Sequence, residues 1–283
     1  VRQTDRGIPF LIPSLILICL VTLYPVLYAF YLSFFRKLPI FGIARFAGLD
    51  NYFFLAADAR FWNALKNTAY FTASSVCLEL VIGFAIALLL SRKFPLRGVV
   101  RAVVLVPWAI PTVVSAKMWE WMYNSDFGIF NYLLSTHINW LGSPFWALNA
   151  AIFMDVWKTT PFVAILLMAG LQVIPKELYQ AARVDGAGGW EVLRRITLPL
   201  LMPVFLVVLI FRTLDAFRIF DAVYVLTGGG PANTTETLSI YAYKVLFQTL
   251  QFGYGSTLAI VVFLCVGLIT VFYVSLLRKG ISR

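Results

Sequence analysis

Residues 180–199 read Q-A-A-R-V-D-G-A-G-G-W-E-V-L-R-R-I-T-L-P, a polar insert between two long apolar runs at 148–172 and 200–226. Ile174-Pro175 can end the run before it, and Pro175 suits a helix start because its missing donor is unpaired there anyway. The pattern predicts a short helix over 176–184. Gly186, Gly188 and Gly189 then permit a sharp turn. A second short helix is predicted over 190–196, stopped by Pro199. Ala181 and Ala182 carry little bulk, so a partner backbone can approach them closely. An amphipathic helix lying on a membrane is the plainer reading of the same residues.

The surrounding chain sets the class. Of 283 residues, 61% are hydrophobic and 13% charged, against about 25% charged in soluble domains. Spanning a bilayer takes about 20 mostly apolar residues per helix. Six stretches qualify: 8–35, 68–90, 102–123, 148–172, 200–226 and 254–277. The expected fold is an all-α membrane protein of six transmembrane helices, forming one membrane domain over 1–283. The first stretch is too long for a cleavable signal and is expected to remain a helix, bent by Pro9, Pro13 and Pro25. Residues 41–62 within the outer segment 36–66 are expected to lie along the interface as a short helix. Trp140 and Trp146 fit a headgroup-level belt.

The net charge of +10 follows from positive-inside bias and needs no nucleic-acid partner. With the N-terminus inside, the inner segments hold 13 basic residues: Arg2, Arg6, Arg92, Lys93, Arg97, Arg101, Lys176, Arg183, Arg194, Arg195, Arg278, Lys279 and Arg283. The outer segments hold 6: Arg36, Lys37, Arg45, Arg60, Lys66 and Lys244. Both termini are therefore expected in the cytoplasm. Cys19, Cys77 and Cys265 lie in apolar stretches without ligand spacing, and His137 is the lone histidine. No metal site or Ser-His-Asp triad is expected. There is no G-x-x-x-x-G-K-[ST] phosphate loop, so the chain is not expected to bind ATP.

Ionisable groups inside spans are functional candidates by default. Asp155, Lys158, Thr159 and Phe162 fall at i, i+3, i+4 and i+7, on one helical face. They offer an acceptor, two donors and a ring, suitable chemistry for a sugar. Pro161 is expected to kink the helix beside them. An Asp155–Lys158 pair that merely holds helices together is the alternative. In the fifth span Arg212, Asp215, Arg218 and Asp221 alternate in sign, as a cavity wall or as a structural ion network. Glu79 in the second span reads as a helix-pairing residue outside this face. Trp108 and Thr112 lie at i and i+4 of the third span, between Pro107 and Pro111.

The insert resembles the EAA loop of binding-protein-dependent ABC importers. The match runs Gln180-Ala181-Ala182, three residues, Gly186, nine residues, Ile196, one residue, Leu198-Pro199. Gln180 stands where that family usually has Glu. Gly48-Leu49-Asp50-Asn51-Tyr52, the run 61–68 (F-W-N-A-L-K-N-T) and 226–231 (L-T-G-G-G-P) are similar to maltose-type sugar permeases. The runs 155–162 and 211–221 resemble their trehalose-uptake branch. The resemblance implies the type I importer permease fold, with Gln180, Ala181, Ala182, Asp185 and Gly186 forming a cytoplasmic coupling helix within the loop 175–199. It implies a homologous second permease, an ATPase dimer carrying ATP and Mg, and an extracytoplasmic solute-binding protein. By correspondence, Trp108, Thr112, Asp215, Arg218 and Ile219 join the face of Asp155 as sugar-lining positions. The implied function is import of a neutral sugar such as trehalose or maltose across a bacterial or archaeal cell membrane, without chemistry on the sugar.

An ion-coupled secondary transporter is the alternative, with Asp155 and the Arg/Asp series as a proton relay. A permease for glycerol phosphate is another, though acids and bases on the candidate faces nearly balance. A cysteine introduced by Arg194→Cys is expected to react with an impermeant thiol reagent from the cytoplasmic side alone; labelling from outside would reverse the topology.

Overall fold

In a bilayer every backbone donor and acceptor must be paired within the protein, so apolar runs become helices. A computed structural model describes residues 8–92 and 94–281. Arg2, Arg6, Lys93 and Arg283 of the charge count lie outside the described residues, as do the side chains of Arg278 and Lys279. Among the described residues five helices are long and apolar enough to cross a membrane, or six spans if one bent pair counts as a single span. The chain divides into two units, Val1–Trp62 with Leu238–Cys265, and Asn63–Thr237 with Val266–Arg283.

The first unit opens with α1 (Ile8–Ile18), a π turn at Cys19–Leu23 and α2 (Tyr24–Ser33). The π turn sits just ahead of Pro25, where the α ladder loses a donor. Only 6% of this span is buried within the chain, so its apolar surface faces outward. The segment that follows keeps the expected short helix only after a hairpin. It is a hairpin of β1 (Phe35–Leu38) and β2 (Ile43–Phe46), then α3 (Asp50–Ala57). Gly42 supplies the left-handed turn between the strands at φ 64°. Asn51 Nδ2 donates to the Ser33 carbonyl at 2.8 Å and the Phe35 carbonyl at 3.0 Å, closing acceptors left open at the end of the span.

The same unit contains α13 (Leu238–Tyr243), a π turn at Lys244–Gln248 and the start of α14 (Phe252–Ile281). Gly253 packs against the hairpin: a β-carbon there would lie 1.8 Å from the Phe35 carbonyl oxygen. Asp58 accepts the hydroxyls of Tyr241 and Tyr254, each at 2.5 Å, and the Arg60 amide at 2.9 Å. Burial alone would raise the Asp58 carboxyl, but these donors outweigh it and hold it below its ordinary range. Burial, together with Asp58, pushes the Tyr241 phenol up to about 12. The carboxylate is thus charged and the Tyr241 phenol is a neutral donor to it.

The second unit holds most of α4 (Ala59–Ser91), then α5 (Arg97–Ala109), α6 (Thr112–Met122), α7 (Ile129–Leu134) and α8 (Pro144–Val173). After it come α9 (Lys176–Val184), α10 (Gly189–Val192), a π turn at Leu193–Thr197, α11 (Leu198–Phe217) and α12 (Asp221–Thr227). Ala87, Val163, Leu167, Leu201 and Val208 form a buried core cluster, with Phe84 and Phe205 edge to face at 5.2 Å. Close approach matters here because lipid tails are as apolar as the side chains, and packing drives association. A β-carbon at Gly170 would come within 2.7 Å of Leu201 and 2.8 Å of Val204.

Several expectations change. The third span is not straight: α5 and α6 meet at 92°, because Pro111 removes the donor and Ile110 is extended. The fifth span ends at Phe217 rather than 226, with α12 a separate helix. Pro199 does not stop a helix. The π turn displaces the ladder just before it, and Gly189–Phe217 runs on as one span. Pro161 lies inside α8, a continuous helix of 30 residues. Trp140 is no belt residue: it is buried, donates to Asn131 Oδ1 at 2.8 Å and meets Trp146 at 5.0 Å.

Gly253→Ala is expected to force α14 off the hairpin and sharply lower the amount of assembled protein recovered from membranes. Recovery equal to the parent chain would show that the close approach is not needed.

Candidate functional site

Spans α4, α8 and α11 each bring one buried ionisable residue to a common point: Glu79, Asp155 and Arg212, all under 5% exposed. The guanidinium is the hub. Its Nε and Nη2 donate to the two Glu79 oxygens at 2.5 and 2.8 Å, a bidentate pair. Nη2 also reaches Asp155 Oδ2 at 3.2 Å, and Nη1 donates to Asp215 Oδ2 at 2.5 Å. Thr159 Oγ1 lies 2.7 Å from Glu79 Oε1 and 2.6 Å from its own Asp155 carbonyl. Its single proton serves one of these acceptors at a time. One cation therefore offsets three carboxylates, where in-span charges otherwise cost several kcal/mol each.

Lys158 does not pair with Asp155. Its Nζ donates to the Ile110 carbonyl at 2.5 Å and lies 3.5 Å from that of Trp108. These are acceptors stranded where α5 ends at the 92° bend, since the last helical carbonyls have no partner of their own. Lysine on α8 thus stabilises the break in the third span. The sequence alternative of an Asp155–Lys158 glue gives way to two separate arrangements.

A cavity of about 550 Å³ opens beside this network. Eight of the nine predicted positions line it: Trp108, Thr112, Asp155, Lys158, Thr159, Asp215, Arg218 and Ile219. The ninth, Phe162, does not. Its ring stacks on Trp108 at 5.8 Å and 21°, so the indole presents the surface instead. Trp108 and Thr112 do not share a helical face, since they sit on either side of the bend. Both reach the cavity because of it. Arg218 and Asp221 belong to the break after α11 and to α12. The Arg218 guanidinium Nε donates to the Leu214 carbonyl at 3.1 Å. Arg212, Ala216, Phe220 and Asp221 complete the wall. Glu79, read from the sequence as a helix-pairing residue outside the face, is the strongest partner of the hub. The one signal for it was an acid in an otherwise apolar run.

The polar insert forms a second feature. Gln180, Ala181, Asp185 and Gly186 are exposed, whereas Ala182 is buried within the chain and is not open to a partner as expected. Its carbonyl instead accepts the Ala187 amide at 2.9 Å, while the Gly186 amide donates to Arg183 at 3.1 Å. This is a Schellman ending with Gly186 at φ +76°, a conformation that favours glycine. Val184 and Trp190 stand 88% and 73% exposed around that turn.

The model of the binding-protein-dependent transport system inner membrane component matches residues 79–283. The trehalose/maltose transport system permease protein MalF of Thermococcus litoralis is 42% identical over 281 residues, covering 98% of this chain and 95% of that protein. The sulfoquinovosyl glycerol transport system permease protein SmoG of Agrobacterium fabrum is 39% identical over 273 residues, covering 95% and 89%. A chain of a bacterial ABC transporter involved in the import of the acidic polysaccharide alginate superposes with a TM-score of 0.86 at 24% identity, covering 97% and 96%.

Arg212→Met strips both buried carboxylates of their cation and is expected to cost about 3–5 kcal/mol. Glu79→Gln leaves Arg212 two acids and should cost clearly less. Thermal midpoints of the purified protein test this order; equal losses would deny the hub role.

Proposed function

Because the chain belongs to the family of inner membrane components of binding-protein-dependent transport systems, we propose that the cavity beside Arg212 is its part of the path for a neutral sugar. The chain is a multi-pass membrane permease of the ABC sugar-importer kind, a transport subunit and not an enzyme. The observation that carries the reading is the composition of the cavity wall. Asp155, Asp215 and Asp221 face Lys158, Arg212 and Arg218, three acids against three bases. A wall of balanced charge offers paired donors and acceptors to hydroxyls without favouring an ion. Trp108, half exposed, offers an apolar face to a pyranose ring, as aromatic surfaces do in ligand pockets. A disaccharide such as trehalose or maltose is the proposed cargo, in line with the name of the 42% identical relative.

A homologous second permease supplies the opposite wall, an extracytoplasmic solute-binding protein delivers the sugar, and an ATPase dimer binds ATP and Mg. The turn at Asp185-Gly186 is the proposed docking point for the ATPase. Its exposed apolar side chains support this, since such patches mark interaction sites. Nucleotide then drives the path between inward- and outward-facing states by binding one of them better. Both termini, with this turn, lie on the cytoplasmic side.

ATP-driven uptake of labelled trehalose and maltose into proteoliposomes carrying the whole transporter tests the reading. Asp215→Asn is expected to raise the half-saturating sugar concentration about tenfold, the worth of one lost charged hydrogen bond, at unchanged recovery of the complex. Unaltered kinetics would remove this wall from the path, and full-rate uptake without the ATPase would overturn the class of transporter.

A further inference from the structure

The hairpin of the first unit carries a basic site that the transport path does not use. Arg36 and Arg45 are register partners across β1 and β2, so they leave the same face with β-carbons about 5 Å apart. Like charges directly opposite one another destabilise a ribbon. Among the described residues neither has an acid within ion-pair reach. Lys37 joins them, its Nζ 3.4 Å from the Tyr28 hydroxyl and 5.9 Å from that ring's centre. All three line one cavity of about 470 Å³, in which Asp50 is the one acid. The arrangement wants an anion.

Its position in the chain says which kind. The hairpin starts two residues after the first span ends at Ser33. That span is apolar and outward-facing, and its last turns expose the rings of Tyr24, Tyr28 and Tyr31. Aromatic rings at a span end mark the headgroup level. The hairpin tip exposes Ile40 and Phe41, and Phe46 closes its other end, 70% exposed. An acidic protein surface would have to dehydrate these groups against polar neighbours. A phospholipid meets both at once: acyl chains against the rings, phosphate against the arginines, whose forked donors fit phosphate oxygens bidentately.

We propose that the Arg36–Arg45 cavity binds the phosphodiester of an anionic phospholipid, with the hairpin tip seated in the interface. The probe is phosphatidylglycerol in nanodiscs of phosphatidylcholine holding the assembled transporter, with retained lipid counted by native mass spectrometry. The Arg36→Gln/Arg45→Gln double variant is expected to lower phosphatidylglycerol affinity about twentyfold, from about fivefold per basic residue at a membrane surface. Arg36→Lys/Arg45→Lys, which keeps the charge, should retain most of the binding. Retention unchanged in the glutamine variant would overturn the proposal, as would equal loss in the lysine variant at equal recovery of complex. Inorganic phosphate should not displace the lipid. Displacement would mark a site for soluble anions. Weakened docking of a solute-binding protein with lipid retention intact would mark a protein interface; either result would overturn the lipid assignment.

Discussion

One guanidinium organises the second unit. Arg212 spends four of its donor contacts on Glu79, Asp155 and Asp215, and those residues come from three different spans. Between helices that lipid does not push together, a charge that must be neutralised is a positional constraint. Each acid has to stop where the fork of Arg212 can reach it. The constraint fixes which faces of α4, α8 and α11 look inward and leaves Asp215, 64% exposed, at the border of the cavity.

The second constraint is backbone rather than charge. Proline at 111 ends α5 and turns the chain by 92°. The freed carbonyls at Trp108 and Ile110 then need a donor that is not backbone, and Lys158 is that donor. The bend also swings Trp108 onto Phe162 and into the cavity wall. A cavity in a helical bundle is thus built from a deliberate failure of helix continuity, and the same holds at the break between α11 and α12, where Arg218 and Ile219 enter the wall. Irregular backbone at membrane depth is tolerated where it lines a polar cavity.

The two units divide the chemistry. The first holds its polar contacts at the ends of its helices: Asp58 with two phenols, Asn51 on span-end carbonyls, and a basic hairpin beyond Ser33. The second buries its charges mid-span and satisfies them within the protein, Arg212 on carboxylates and Lys158 on backbone carbonyls. This division follows from solvent. Polar groups near a span end have water and headgroups for partners, whereas those in its middle have only one another.

The sequence alone determined what depends on composition and local spacing. Long apolar runs dictated membrane helices, the helical period put Asp155, Lys158 and Thr159 on one face, and the spacing of the polar insert with its glycines carried the family resemblance. Eight of nine wall positions followed, five of them through that resemblance. Which partner each charge takes was decided by tertiary structure, because Lys158 and Arg212 choose among acceptors on other helices that no local pattern reveals. The 92° turn, the unbroken passage through Pro161 and Pro199, and the burial of Ala182 were likewise settled by packing: proline removes a donor in every case, but whether the helix breaks, shifts into a π turn or runs on depends on what the neighbouring helices offer the freed carbonyl.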